Sequence, residues 1–278
     1  MYKKWLTIEY ISQLNEISDR EMTAEQIINA VEKSRASYSF LCPTPEELWN
    51  DIKNYTYEDN NHIITVYHGS TDMELTPFYG GGADYHDYGR GFYCTKSLNS
   101  AKEWACQWWD NDCSYVYEYT LNLDKLVILD LSKKDILFSL ALLAERRYES
   151  DEPKRRKERR FQFIKKYYIN LNEYDIVICW RADDKYFNFL KNFLRGDLSV
   201  ESTKESFILR ELGLQIVIIS EKAYNNLEFI SRYDISGDMY TKYRSIYQEK
   251  INEANAILLK VQDLEGGSYI NDLVSEVL

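Results

Sequence analysis

The stretch from Asp87 to Thr95, DYGRGFYCT, holds residue types that could build a binding site. Gly89 and Gly91 flank an arginine, and the aromatic pair Phe92-Tyr93 then begins a predicted strand. Glycine tolerates positive φ and has no Cβ, so a Gly-x-Gly turn lets the backbone lie close to a ligand. We interpret the stretch as the wall of a pocket; a plain turn before a strand is the alternative.

A second group of candidate residues stands upstream of this turn. Ile63–Tyr67 is short and rich in β-branched residues, which predicts a buried strand that ends at His68, before Gly69 and Ser70. The segment from Thr76 to Tyr88 contains a proline and three consecutive glycines and is predicted to be a loop. His68 is therefore expected at a strand edge, where an ordinary structural histidine is the alternative interpretation.

The elements that must position these residues mix helices and strands without regular alternation. Further strands are predicted over 115–121, 126–130, 175–180, 213–220 and 227–233. Helices are predicted from a cap at Asn99-Ser100 and over about 135–147, 153–169 and 239–261. Short strands in this arrangement predict an α+β fold with helices flanking small, largely antiparallel sheets.

The chain is predicted to have three parts. Residues 1–60 are expected to be a helical lead-in, 61–233 the functional domain and 234–278 a helical extension. Within the functional domain, about 135–170 is predicted to be a helical, basic insertion.

Charge is distributed unevenly along the chain. The net charge of −11 opposes general affinity for nucleic acids or anionic membranes, but it permits a local basic patch. Such a patch is predicted at Lys154–Arg160, inside a segment, Glu145–Lys166, with ten Lys or Arg against five Asp or Glu. A solvated helix is one interpretation, and a docking face for RNA or an acidic partner is the other.

Other patterns limit the classes of protein to consider. Five cysteines without a Cys-x-x-Cys pair argue against a disulfide framework and a zinc site. The three histidines and the lack of a metalloprotease or serine-hydrolase motif disfavour metal-dependent and serine hydrolysis. With neither a signal peptide nor an apolar stretch of membrane-spanning length, we expect a soluble, cytoplasmic protein without membrane partners.

Taken in order, the motifs resemble the ADP-ribosyltransferase superfamily, in its diphtheria-toxin-like branch with a His-Tyr-Glu triad. The resemblance rests on Tyr67–Ser70, on Gly89–Tyr93, and on the helix that follows with Ser100-Ala101 and Trp104. The chain is closer still to uncharacterised bacterial proteins with the motif Asp-x-Gly-x-Gly-Phe-Tyr. These share a later Arg-Ala-Asp-Asp-x-Tyr-Phe and Leu-Gly-x-Gln, which here are Arg181–Phe187 and Leu212–Gln215. The likeness extends over roughly residues 63–231.

This resemblance implies a fold of two small, mainly antiparallel sheets and an activity that uses NAD as co-substrate, without a metal. It implies transfer of a single ADP-ribose unit to a macromolecular acceptor, either protein or nucleic acid. A bacterial toxin or anti-phage defence effector, with an antitoxin or regulatory partner, fits this class. An NAD glycohydrolase and a non-catalytic module that binds NAD or ADP-ribose are the alternatives.

The resemblance also implies roles for individual residues. His68 would bond the adenine-side ribose, Gly69 the nicotinamide amide, and Tyr93 would stack on the nicotinamide ring, with Trp104 on the opposite face. Trp104 as a core residue is the alternative. The remaining expected cofactor-binding residues are Ser70, Gly91, Phe92, Arg181 and Asp184. A helix cap is the alternative role for Asp184 and its neighbour Asp183.

The third member of the triad departs from the family pattern. Gln215 stands where the family has its catalytic glutamate. A glutamine amide can bond a ribose hydroxyl, but it does not act as a base, so single transfer is expected and chain elongation is not. Glu211 and Glu221 are ranked below Gln215 as alternatives.

Overall fold

The computed structural model describes residues 7–18, 27–28, 44–45, 48–49, 62–84, 86–107, 113–147, 151–181, 187–207, 213–262 and 266–274. Helix α1 (Ile8–Ser18) belongs to the predicted lead-in, most of which lies outside these residues. Asp184 and Glu211 also lie outside them. The fold is therefore described from residue 62 onward.

The first sheet has three antiparallel strands, β1 (Ile63–Ser70), β3 (Cys113–Asn122) and β7 (Leu227–Ser236). Strand β3 lies in the centre and pairs with β1 on one side and β7 on the other. Its buried residues alternate with less buried ones over much of its length, as expected for a strand with one face toward the core.

The second sheet has the strand order β2-β6-β5-β4. Its strands are β2 (Phe92–Cys94), β4 (Ile128–Asp130), β5 (Ile176–Trp180) and β6 (Leu214–Ile218). All pairs are antiparallel except β4 with β5. Strands β5 and β6 are almost wholly buried, which explains why their residues are apolar except for Gln215 of β6.

Helices cover both sheets. Helix α2 (Leu98–Ala105) follows β2 and packs on β1, and α3 (Ile136–Arg146) and α4 (Lys154–Lys166) lie between β4 and β5 in the chain. Further α-helices in the described part of the chain are α5 (Phe187–Arg195), α6 (Val200–Phe207), α7 (Glu221–Tyr224), α8 (Gly237–Gln262) and α9 (Ile270–Leu273). No helix in the described ranges has both the length and the apolar character to cross a membrane.

The segment predicted to be a basic insertion contributes to the core. Leu140 and Leu143 of α3 and Phe163 of α4 are fully buried in one cluster with Val217 of β6. Helices α3 and α4 therefore cover the second sheet.

A second cluster, which includes Val66, Phe92 and Ile216, joins residues of the two sheets.

The predicted α+β class with small, largely antiparallel sheets is confirmed, and two element boundaries are corrected. Strand β1 does not end at His68, because it continues to Ser70 through pairing with Tyr115–Tyr117 of β3. Helix α2 is not capped at Asn99-Ser100. It begins at Leu98, because the side chain of Ser97 accepts a hydrogen bond from the Ser100 N–H at 3.2 Å.

Candidate functional site

A cavity of about 560 Å³ opens where the two sheets separate. The sheets are joined beside it by a backbone bridge, in which Tyr67 and Thr95 exchange hydrogen bonds of 2.7 and 2.9 Å. Of the predicted site residues, the cavity is lined by His68, Gly69, Ser70, Gly91, Phe92, Tyr93, Trp104 and Gln215. Arg181 lines a smaller adjoining pocket of about 40 Å³, together with Gly69, Tyr93, Trp104 and Gln215.

His68 is held in one orientation by contacts across the junction of the sheets. Its Nδ1–H donates to the backbone oxygen of Tyr93 at 2.7 Å, and its ring stacks on Phe92 with centroids 4.5 Å apart. Burial lowers the pKa of His68 to about 4, although the bond to the carbonyl opposes this shift. The ring is therefore neutral at pH 7, and its Nε2 is a hydrogen-bond acceptor suited to a hydroxyl group.

Lowering the pH is expected to destabilise the protein through His68. The folded pKa of about 4 lies below the ordinary value of 6.5, so between these values the unfolded state binds more protons. The free energy of unfolding should fall by about 1–3 kcal/mol from pH 7 to pH 4 because of this group. Urea unfolding at several pH values, for the wild type and His68→Gln, measures this contribution. A difference between the two proteins that stays constant with pH would contradict it.

Gly69 has two structural roles. A Cβ at this position would overlap the backbone oxygen of Ala101 and lie 2.8 Å from the Ala105 nitrogen, so only glycine lets α2 pack against β1. Just before β1, the His62 carbonyl accepts from the Leu123 N–H on the β3 side, whereas Tyr67 within β1 bonds to Thr95 on the opposite edge. Because alternate residues of a strand face alternate edges, the N–H and C=O of Gly69 face the Thr95 edge, where the cavity lies.

The hydroxyl of Tyr93 is used within the protein. It donates to the Gly89 carbonyl at 2.7 Å and accepts from the Tyr88 N–H at 3.1 Å. Burial raises the pKa of this hydroxyl far above its ordinary value, so it stays protonated. The rings of His86 and Tyr93 pack nearly perpendicular to each other, with centroids 5.3 Å apart. Tyr93 therefore closes the Gly-x-Gly turn with its hydroxyl and contributes ring surface to the cavity.

Both glycines of the turn are required by their surroundings. Gly89 has a φ of 87°, in the left-handed region that favours glycine. A Cβ on Gly91 would lie 2.7 Å from the side chain of Val217 and 2.8 Å from the oxygen of Ile218. The turn therefore packs closely against strand β6, which contains Gln215.

Gln215 lines both pockets. The residue is 8% exposed, and its Nε2 has no hydrogen-bond partner among the residues that the structure describes. A buried N–H without a partner costs about 1–3 kcal/mol, a cost that a hydrogen bond to a ligand or water would offset. Glu221, by contrast, is exposed at the start of α7 and does not line the cavity.

Trp104 lines both pockets, and Arg181 lies behind it in the smaller one; we call these two side chains the inner wall of the cavity. Arg181 is buried just after β5, and its guanidinium lies 4.3 Å from the centroid of Trp104 and 5.6 Å from that of Tyr247. The cation therefore covers part of the Trp104 ring. Stacking of Trp104 on a ligand would use the ring surface that Arg181 leaves open.

Sequence reasoning missed an ion pair at the rim of the cavity. Arg147, just after α3, pairs with Asp87, and both line the cavity. Asp87 stands in the predicted motif, whereas nothing near Arg147 in sequence indicated its position. Arg90 makes a bidentate ion pair with Asp84, at 2.5 and 2.9 Å, which connects the preceding loop to the turn. Within the described ranges, no three His, Cys, Asp or Glu side chains are grouped to hold a metal ion.

Comparison with known proteins gives a family match. Residues 64–229 match the model of a family described as Protein of unknown function (DUF3990). The search of curated proteins found no match, and the search of solved structures found none either. The matched segment contains every cavity residue named above, and it ends before helix α8.

Proposed function

We propose that this chain, which belongs to the family described as Protein of unknown function (DUF3990), is a mono-ADP-ribosyltransferase that moves ADP-ribose from NAD to a macromolecular acceptor. The proposal is supported chiefly by one observation. The same cavity is lined by His68, Tyr93 and Gln215, although they are far apart in the sequence. By the resemblance, these residues correspond to the three members of the family's catalytic triad. Two of them offer polar groups of the kind that a ribose requires.

The groups in the cavity match the parts of NAD by chemistry. The Nε2 of His68 accepts from a ribose hydroxyl, and the Nε2 of Gln215 donates to a ribose oxygen. The ring of Tyr93 offers a flat apolar surface to the cationic nicotinamide. The N–H and C=O of Gly69 offer one donor and one acceptor, as a carboxamide needs.

In the proposed reaction, the bond between nicotinamide nitrogen and ribose C1′ breaks, and its electron pair leaves with nicotinamide. Positive charge develops on the ribose, and the acceptor atom forms the new bond to C1′ as it loses its proton. Gln215 orients a hydroxyl of the ribose whose bond breaks, and His68 binds the adenine-side ribose, so the two residues together restrict NAD while the bond breaks. Because Gln215 does not remove protons, the acceptor must lose its proton to another group or to water.

The test uses purified protein, NAD labelled in its adenosine part, and a bacterial lysate. Label on a macromolecule, lost in His68→Ala and Tyr93→Ala, supports the proposal; equal labelling by all three proteins would overturn it. Nicotinamide release without label on any macromolecule selects the glycohydrolase. NAD binding by calorimetry without turnover selects the non-catalytic module. His62→Ala changes an exposed histidine outside the cavity and serves as the matched control.

Two substitutions of Gln215 should change the rate of nicotinamide release in opposite directions. Gln215→Leu removes the donor and should lower kcat/KM for nicotinamide release by about tenfold, the effect of one hydrogen bond. Gln215→Glu places a negative charge beside the developing positive charge and should raise this rate by about tenfold. Chromatographic measurement of nicotinamide gives both values. Equal losses in the two variants would show that residue 215 has only a packing role.

A further inference from the structure

Helix α4 concentrates positive charge in an acidic protein. Eight of its thirteen residues are Lys or Arg and one is Glu, whereas the whole chain has a net charge of −11. Solubility alone does not require such an excess of positive over negative residues in a helix. The positions of its side chains separate the cations that hold the helix in place from those that face solvent.

Two arginines dock the helix on the domain. Arg160 is 3% exposed; it pairs with Glu152 at 2.9 Å and donates to the Ala144 carbonyl at 3.1 Å. Arg159 donates to the carbonyl of Leu194 and to Asn271 Oδ1, both at 2.6 Å. These cations are committed to the fold and are not available to a partner.

The opposite side of α4 forms an exposed row of cations. Lys154, Lys157 and Lys165 are exposed, and their spacing of three or four residues through Phe161 places them on one face. Arg155 is also exposed beside this row. Lys154 makes an ion pair with Glu158 at 3.8 Å, which partly offsets its charge. We call these four cations, with Phe161 and Tyr168, the outer face of α4.

Aromatic rings are interleaved with these cations. Phe161 is 53% exposed, with Lys157 Nζ 6.0 Å and Arg160 Cζ 4.9 Å from its centroid. Tyr168, two residues beyond the end of the helix, is 58% exposed. The core does not need these rings, because Phe163 already fills the buried side of α4. Each ring therefore offers a partner the surface that the neighbouring cations leave open.

From this combination we infer that the outer face of α4 binds single-stranded nucleic acid. Cations along a helix pair with phosphates, and exposed rings stack on unpaired bases without regard to sequence. An acidic peptide would use the cations but has no base to stack on the rings. A duplex keeps its bases stacked inside, so it would leave Phe161 and Tyr168 unused.

Helix α4 is joined to the helix that leads to the cavity rim. Arg160, on its docked side, bonds to Ala144 of α3, and Arg147, three residues beyond Ala144, lines the cavity rim. As an assignment of the acceptor class, the inference rests on the proposed function; the binding itself does not require NAD.

Fluorescence anisotropy with a labelled 20-nucleotide oligouridine RNA, without NAD, tests the binding. The triple variant Arg155→Gln/Lys157→Gln/Lys165→Gln should raise Kd at least about tenfold and reduce the slope of log K against log salt by about 2. The triple variant Lys133→Gln/Lys204→Gln/Lys242→Gln makes the same charge change at exposed lysines elsewhere and should leave Kd within about twofold. Equal weakening by both variants would reduce the effect to net charge and overturn the inference.

The contribution of the aromatic rings to binding is tested separately. Phe161→Ala should raise Kd by about five- to 100-fold, the effect of losing one stacked base. Phe229→Ala, at a similarly exposed ring on β7, is the control and should have no effect. An oligothymidine probe of the same length shows whether RNA or DNA is preferred, and a duplex should bind more weakly. Tighter binding of a polyglutamate peptide, or no binding of any oligonucleotide at low salt, would overturn the inference. Because NAD is absent, these outcomes are independent of the labelling assay.

Discussion

Replacement of Lys250 by methionine is expected to lower the free energy of unfolding by about 3–5 kcal/mol. The Nζ of Lys250 lies 2.8 and 2.7 Å from the two carboxylate oxygens of Glu103, and the two side chains are 4% and 5% exposed. Removal of the ammonium leaves the carboxylate of Glu103 buried without its counter-ion. The cost of that uncompensated charge, more than the attraction lost, determines the size of the effect.

Urea denaturation of the whole protein measures this change. The double variant Glu103→Met/Lys250→Met should recover most of the lost stability, because no charge is then left buried. Lys242→Met, at an exposed position of the same helix, should change stability by less than about 1 kcal/mol. A loss below about 1 kcal/mol in Lys250→Met, or no recovery in the double variant, would contradict the assigned role of the pair.

The pair matters for the cavity because it joins α8 to α2. Along the same contact, Tyr243 donates to Asn99 at 2.8 Å and Tyr247 donates to Gln107 at 3.0 Å. Tyr247 also lies against Arg181, which in turn covers part of Trp104. Helix α8 therefore supports the inner wall of the cavity from outside the segment that matches the family.

The strands were largely predictable because local sequence determines them. The run Ile176–Trp180 is continuously apolar and Leu214–Ile218 is apolar except at Gln215, as is typical of buried strands. The structure forms both strands within a residue or two of the predicted ends. The end of β1 was not predictable in this way. His68, Gly69 and Ser70 have no strong strand preference, and they extend β1 only because β3 offers backbone partners.

The residues that line the cavity were indicated in part by the sequence, but their geometry was not. The family resemblance pointed to His68, Tyr93 and Gln215, and in the structure all three line one cavity. The inward bonds of the Tyr93 hydroxyl and the packing of Gly69 against α2 depend on contacts that only the folded chain creates. The Glu103–Lys250 pair joins residues 147 positions apart, and no local pattern connects them. Long-range contacts of this kind leave no trace in composition or periodicity.

The inward bonds of Tyr93 allow its ring and its hydroxyl to be tested separately. Tyr93→Ala removes both the ring that faces the cavity and the hydroxyl that closes the turn. Stacking on an aromatic ring contributes about 1–3 kcal/mol, and the loosened turn adds to this loss. We therefore expect kcat/KM for nicotinamide release to fall at least about 100-fold.

Tyr93→Phe keeps the ring and removes only the bonds to Gly89 and Tyr88. It should lower the free energy of unfolding by about 1–2 kcal/mol and leave kcat/KM within about tenfold of the wild type. Tyr233→Ala, on the outer surface of the first sheet, should leave the rate unchanged, because Tyr233 does not line the cavity. Nicotinamide release and urea unfolding, measured on the same preparations, separate lost stacking from lost stability. If Tyr93→Ala retained more than about a tenth of the wild-type rate while folded, the ring would not bind the reacting part of NAD. The cavity would then require another assignment.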